Sequence, residues 1–174
     1  MGRARPLIAV VLLIALGGTV VAVQHHRSTR ATVGKVSAAS MRGPLIDAVL
    51  GSIDVDGLSF PDRGAVGWTY AGLRDISVGG RPVLVAEYRH GPQTIDYALV
   101  TDTKGLNDGA PARQQMRHTA RGDFEMNWQY GRPSSLLMRF VRRGHPVVLT
   151  GRPATEAVRR AMSNLAAATV FASS

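Results

Sequence analysis

The chain has 174 residues, 45% of them hydrophobic and 19% charged, which is enough for one domain with a core plus accessory segments. It contains no Cys, which excludes a disulfide framework, a thiolate nucleophile, Cys-ligated zinc and iron–sulfur clusters. The formal charge of +9 is uneven, with +5 in residues 1–35, −3 in residues 36–109 and +7 in residues 110–160. A nucleic-acid binder concentrates its basic residues on one face with interleaved aromatics. Here Arg132, Arg139, Arg142 and Arg143 fall at predicted strand edges and turns, so they read as solvated surface and no nucleic-acid partner is expected.

Residues 1–6 form a short basic region with Arg3 and Arg5, and residues 7–23 follow without a charge, LIAVVLLIALGGTVVAV. At ~1.5 Å rise per residue this stretch makes a helix of roughly 26 Å, slightly short of a ~30 Å hydrocarbon core. It reads as a single transmembrane anchor completed by its polar flanks; the alternative is a secretory signal peptide with Val20-Val21-Ala22 as an imperfect cleavage motif, and hence a secreted product. Basic residues lie on both sides, Arg27, Arg30 and Lys35 after the segment, so orientation rests on the short tail remaining cytoplasmic and residues 24–174 lying outside. Residues 24–42 are rich in Ser, Thr, Ala and Arg and read as a tether. The adjacent His25 and His26 lack carboxylate neighbours, so no metal is assigned to them.

The folded domain is expected over residues 43–174. Ile46, Val49, Leu50 and Ile53 recur at helical spacing after Pro44, which predicts a short helix over 44–53. Asp54, Asp56 and Asp62 lack the spacing and closing Glu of an EF-hand and belong to a polar loop. Strands are then predicted over 67–78 and 81–90, joined by Gly79-Gly80, whose positive φ suits a primed hairpin turn. Others follow over 94–102, 123–130, 135–143 and 147–151; in the fourth, Phe124, Met126, Trp128 and Tyr130 alternate with polar residues as a core face. A closing helix over 154–169 has Pro153 in its first turn and Val158, Ala161, Met162 and Leu165 on one face. The expected architecture is α+β, an antiparallel sheet of about six strands with a short N-terminal helix and a C-terminal helix, preceded by one transmembrane helix.

The succession Leu58-Ser59-Phe60-Pro61, Gly67-Trp68, Gly72-Leu73, Gly79-Gly80-Arg81-Pro82-Val83, Tyr88-Arg89-His90 and Ile95 resembles the extracytoplasmic portion of bacterial transmembrane anti-sigma factors. Trp128, the Gly144-His145-Pro146 turn and the helix of Pro153 to Leu165 fall in matching order, so the likeness spans roughly residues 44–168. Its glycine turns and strand aromatics speak to topology more than to activity. The resemblance implies a sensor or protein-contact domain outside the membrane, with another envelope or membrane protein as partner. Members of that family hold their sigma factor with a cytoplasmic N-terminal domain, and only six residues precede the hydrophobic segment here, so sequestration in that manner is not expected.

No G-x-S-x-G, Walker-type, H-E-x-x-H or strand-linked G-x-G-x-x-G motif is present, so no catalytic residue and no cofactor is assigned. A triad of His90, Asp96 and Ser77 has no spacing that brings it together. The expected class is therefore a binding or sensing domain, with a small secreted hydrolase or a structural envelope protein as the alternative. Residues 103–122 read as a long loop, of the kind that is functional or disordered. Arg113, Arg117, His118 and Arg121 in that loop are the candidate binding residues for an anionic group.

Overall fold

The structure is a computed structural model and describes residues 31–47, 55–61, 67–106, 113–119, 122–131 and 134–170. Helix α1 (Val33–Ser40) comes first, followed by β1 (Thr69–Val78), β2 (Arg81–His90), β3 (Gln93–Val100), β4 (Arg113–Thr119), β5 (Gly122–Gly131), β6 (Ser135–Arg142), β7 (His145–Arg152) and helix α2 (Glu156–Val170). The seven strands make one antiparallel sheet in the order β1-β2-β3-β7-β6-β5-β4. The α+β class holds. The expected sheet gains a strand, and the first helix lies elsewhere.

Alternation along the strands sends side chains to two covered faces. On one, Tyr88, Tyr97, Leu99, Met138 and Leu149 pack beneath Val158, Met162 and Leu165 of α2. Phe60 and Tyr97 meet edge to face at 5.5 Å between ring centroids, and Tyr97 meets Phe140 at 6.3 Å. The Leu58–Pro61 segment lies on the same side: Leu58 and Phe60 are buried, Tyr88 donates its hydroxyl hydrogen to the Pro61 carbonyl at 2.8 Å, and Arg142 Nη1 donates to the Ser59 carbonyl at 2.7 Å. On the opposite face Val33 and Val36 of α1 cover Val83, Val85, Val100 and Val148.

Helix α1 corrects the tether reading, and the compact unit begins at Ala31 rather than at residue 43. Thr32 caps the helix by accepting the Lys35 N–H at 3.2 Å, and the buried Val33, Val36, Ser37 and Ser40 form its inner stripe. A stripe of two Val and two Ser carries little apolar signal, so tertiary packing rather than sequence periodicity makes the helix. The helix expected over 44–53 is not formed where it is described. Ile46 instead exchanges two backbone hydrogen bonds with Leu73, at 2.7 and 3.0 Å, as a one-residue bridge on the outer edge of β1; residues 48–54 lie outside the described residues. The register of β1 shifts between Tyr70 and Gly72, and Gly72 has φ +146°. A Cβ there would stand 2.9 Å from Leu45 Cβ, so the approach of this segment requires glycine.

At the far end of the chain, Thr155 caps α2 by accepting the Val158 N–H at 3.2 Å, which leaves Pro153 ahead of the helix instead of in its first turn. A Cβ on Gly151 would collide with Val158 and Met162, so β7 admits α2 at close range only with glycine at that position. No helix among the described residues is long and apolar enough to cross a membrane, and residues 7–23, the expected anchor, lie outside them.

Two stability predictions follow from the two faces. A chain starting at residue 44 loses the burial of Val33 and Val36, and should be destabilised by about 3–6 kcal/mol relative to one starting at Ala31 in urea melts. Trp128 is 8% exposed in the α2-side core with the Arg159 guanidinium 5.9 Å above its ring, so Trp128→Ala should cost about 3–5 kcal/mol; a loss below about 1 kcal/mol would contradict this packing.

Candidate functional site

The segment expected as a long loop contains edge strand β4, paired with β5 from Arg113↔Trp128 to Thr119↔Gly122. The hairpin pairing was masked in the sequence because β4 reads RQQMRHT, with one apolar residue in seven. Arg113 and Arg117 occupy register positions of one parity, opposite Trp128 and Phe124, whereas His118 has the other parity and pairs with Asp123. Arg113 and His118 are exposed, and Arg121 lies outside the described residues. The three candidates that are described, Arg113, Arg117 and His118, are thus divided between the two parities of one strand. These three belong to a ribbon: among the described residues β5 pairs with β6 over Asn127–Gly131, and Gly122–Met126 have β4 as their strand neighbour. Met116 on the same edge strand is 52% exposed.

A second constellation went unnoticed in the sequence. Glu87 and Asp96 are register partners on β2 and β3, Asp96 faces Thr150 on β7, and all three are buried on the α1 side of the sheet. Arg74 of β1 reaches across to both acids, forming an ion pair with Glu87 and donating to Asp96 Oδ1 at 3.3 Å, while its Nε donates to the Gly43 carbonyl at 3.1 Å. Arg152 approaches Asp96 Oδ2 at 3.6 Å, and Arg89 donates to Glu87 Oε1 at 2.5 Å. Burial pushes the Glu87 carboxyl up, but hydrogen bonds and charge from Arg74 and Arg89 outweigh it and hold the group below the ordinary range. Asp96 goes the other way. Its burial dominates, the Glu87 charge adds to it, and the two arginines offset only part, so its pKa rises to about 7. The signal available in the sequence was an acid standing inside each of two apolar strand runs, Ala86-Glu87-Tyr88 and Ile95-Asp96-Tyr97.

A third feature is a cleft of about 570 Å³ where the β2–β3 turn meets α2. Trp68, His90 and Gln93 line one wall, and Ala157, Arg160 and Asn164 the other. The Trp68 and His90 rings lie 5.8 Å apart at 33°. His90 Nδ1 stands 2.7 Å from the Gly67 carbonyl oxygen, which can only accept, so Nδ1 carries a hydrogen there. On α2, Arg160 Nε donates to Glu156 Oε1 at 3.1 Å, and the paired arginines hold the exposed Glu156 carboxyl down at about 2.

The imagined triad is dispersed: Ser77 pairs with Pro82 at one end of β2, His90 with Gln93 at the other, and Asp96 points to the α1 face, opposite in parity to His90. Of the three loop acids, Asp56 lies 3.2 Å from Nε2 of the buried His145, and Asp54 and Asp62 are outside the described residues. Among the described residues no three His, Asp or Glu side chains come together.

The raised pKa of Asp96 has a definite sign in stability. Its folded value of about 7 lies above the ordinary 3.8, so its stabilising contribution is complete below about pH 4 and is lost as pH rises through 7. Glu87, held low, acts only in the acid range below its ordinary 4.5. The melting temperature should therefore fall by on the order of 5 °C between pH 5 and 8, and Asp96→Asn should flatten that slope. A variant that keeps the wild-type slope would assign the pH dependence to another group.

Comparison with family models, with curated proteins and with solved structures finds no match, so the functional reading rests on the chemistry of the chain's own residues.

Proposed function

We propose that the chain is a membrane-anchored extracytoplasmic domain that senses or binds another envelope or membrane protein, without catalytic activity, through the β4–β5 ribbon. The observation that carries this reading is the ribbon's open backbone: among the described residues no strand pairs with the outer edge of β4. An open edge accepts an extended segment by strand addition, with main-chain hydrogen bonds supplying affinity and side chains selecting the partner. Arg113, Arg117 and Arg121 favour an acidic segment, and the exposed Met116, of the opposite parity to Arg113 and Arg117 on β4, offers apolar contact on the ribbon's other face. The burial of Asp96, fully withdrawn from solvent, supports a structural role for the titrating acid rather than a reaction at its carboxylate. The resemblance to the outer domains of anti-sigma factors supports a role in envelope signalling. The uncharged residues 7–23 support retention in the membrane.

Retention is measured directly: the mature chain should stay in the carbonate-washed membrane pellet and keep Arg3, and a soluble product starting near Val23 would establish secretion instead. For the ribbon, Arg113, Arg117 and Arg121 replaced together by Ser should lower partner capture from detergent extracts several-fold at low salt and leave the melting temperature nearly unchanged. Undiminished capture would remove the ribbon from the binding surface. Turnover of a substrate by the wild-type chain, abolished in His118→Ala, would replace the binding reading with an enzymatic one.

A further inference from the structure

The cleft between the β2–β3 turn and α2 is independent of the ribbon, and its walls differ in chemistry. Its apolar floor is built from small residues on the helix, where Ala157 and Ala161 stand at i and i+4 and leave room above the backbone. Trp68 is half-buried, packs against the α2-side core and also lines the cleft. The β2–β3 turn is held in place by the His90–Gly67 hydrogen bond, and Gly91 with φ +55° ahead of Pro92 gives the tight two-residue connection that brings Gln93 to the rim. A volume of about 570 Å³ lies inside the roughly 300–1,000 Å³ range of small-molecule sites.

The polar groups narrow the ligand. Gln93 and Asn164 each offer an amide that donates and accepts, and His90 adds a ring nitrogen, Nε2, beyond the one held by the Gly67 carbonyl. Groups that both donate and accept match the hydroxyls of a sugar, each of which does the same. A ring with one face of C–H groups and a rim of hydroxyls satisfies the indole and the amides together. Among the described residues the charged group lining the cleft is Arg160, and no acid side chain of theirs lines it. Glu156, the acid nearest in the chain, holds Arg160 Nε from the neighbouring turn; Glu156, Arg159 and Arg160 together line the adjoining recess of about 380 Å³. The remaining guanidinium hydrogens of Arg160 suit a carboxylate.

We propose that this cleft binds an acidic saccharide, a sugar ring stacked on Trp68 with its hydroxyls on Gln93, Asn164 and His90 and its carboxylate on Arg160. The site makes the domain a reader of uronate-type sugars in addition to any protein partner.

The test is calorimetric titration of the full chain in detergent with a digalacturonate, with a neutral disaccharide of equal size and with inorganic phosphate. Digalacturonate should bind saturably and the neutral disaccharide about tenfold more weakly, since a charge-assisted pair is worth about 1.5–3 kcal/mol; phosphate, which can meet Arg160 but not the indole, should bind well below digalacturonate. Arg160→Gln, at an exposed helix position, should bring the two sugars to within about twofold of each other, and Asn164→Ala should weaken both about fivefold. Trp68→Leu should weaken both sugars about tenfold if it folds with the wild-type melting temperature. Should it not fold, the Arg160 and Asn164 variants still decide. Saturable binding of phosphate equal to that of digalacturonate, no saturable sugar binding, or an acidic-sugar preference untouched by Arg160→Gln would each overturn the proposal. The Ser replacements on β4 should leave sugar binding unchanged, which separates this site from the ribbon.

Discussion

Strand β3 lies against β7 across six register pairs, from Thr94↔Arg152 to Leu99↔Val147, and this pairing joins two antiparallel meanders that otherwise connect only through the segment after Val100. Both helices cover it, α1 through Val36 on one side and α2 through Val158, Met162 and Leu165 on the other. Because both strands are buried on both faces, a shift of one residue would bring Tyr97 and Leu149 under the short α1 and expose small residues to the aromatic core. The register is thus fixed twice over. The same seam places Asp96 beside Thr150 and within reach of Arg152, so the charged cluster exists only when the meanders have met.

That cluster explains why the α1 face tolerates charge. A short helix cannot cover seven strands, and the apolar residues beneath it give way to the polar row of Glu87, Asp96 and Thr150. Removing one partner would leave a buried charge uncompensated, which costs more than the pair contributes. Arg74 has the central position because its guanidinium reaches both acids and its Nε holds the Gly43 carbonyl, which ties the chain after α1 to the sheet. The ionic cluster therefore joins the N-terminal segment to the seam as well as balancing its own charge.

Much of the strand pattern was legible because glycine turns and alternating apolar residues are local signals: Gly79-Gly80, Gly91-Pro92 and Arg143-Gly144 all mark observed hairpins. What stayed hidden depends on neighbours distant in sequence. Helix α1 shows only Val33 and Val36 as large apolar residues, and its burial is decided by Val83, Val100 and Val148. Strand β4 takes its conformation from pairing with β5. Ile46, expected on a helix, is instead recruited by Leu73, 27 residues away along the chain. For the candidate sites the division is similar. Basic residues around 113–121 were visible as a charge run, but the separation of Arg113 and Arg117 from His118 needed the strand. The cleft needed Trp68, His90 and Arg160 to meet from segments some 70 residues apart, which no local pattern encodes.

The two outer strands of the sheet are unequal. Along β1, the register shift near Gly72 and the Ile46–Leu73 bridge break the edge into short pieces, which twists it away from a flat partner. Along β4, seven residues run in unbroken register with β5. The consequence is a valency of one. Two copies that joined edge to edge through β4 would form a two-fold, self-complementary pair whose remaining outer strands are the interrupted ones, so growth stops at the dimer instead of propagating into a filament.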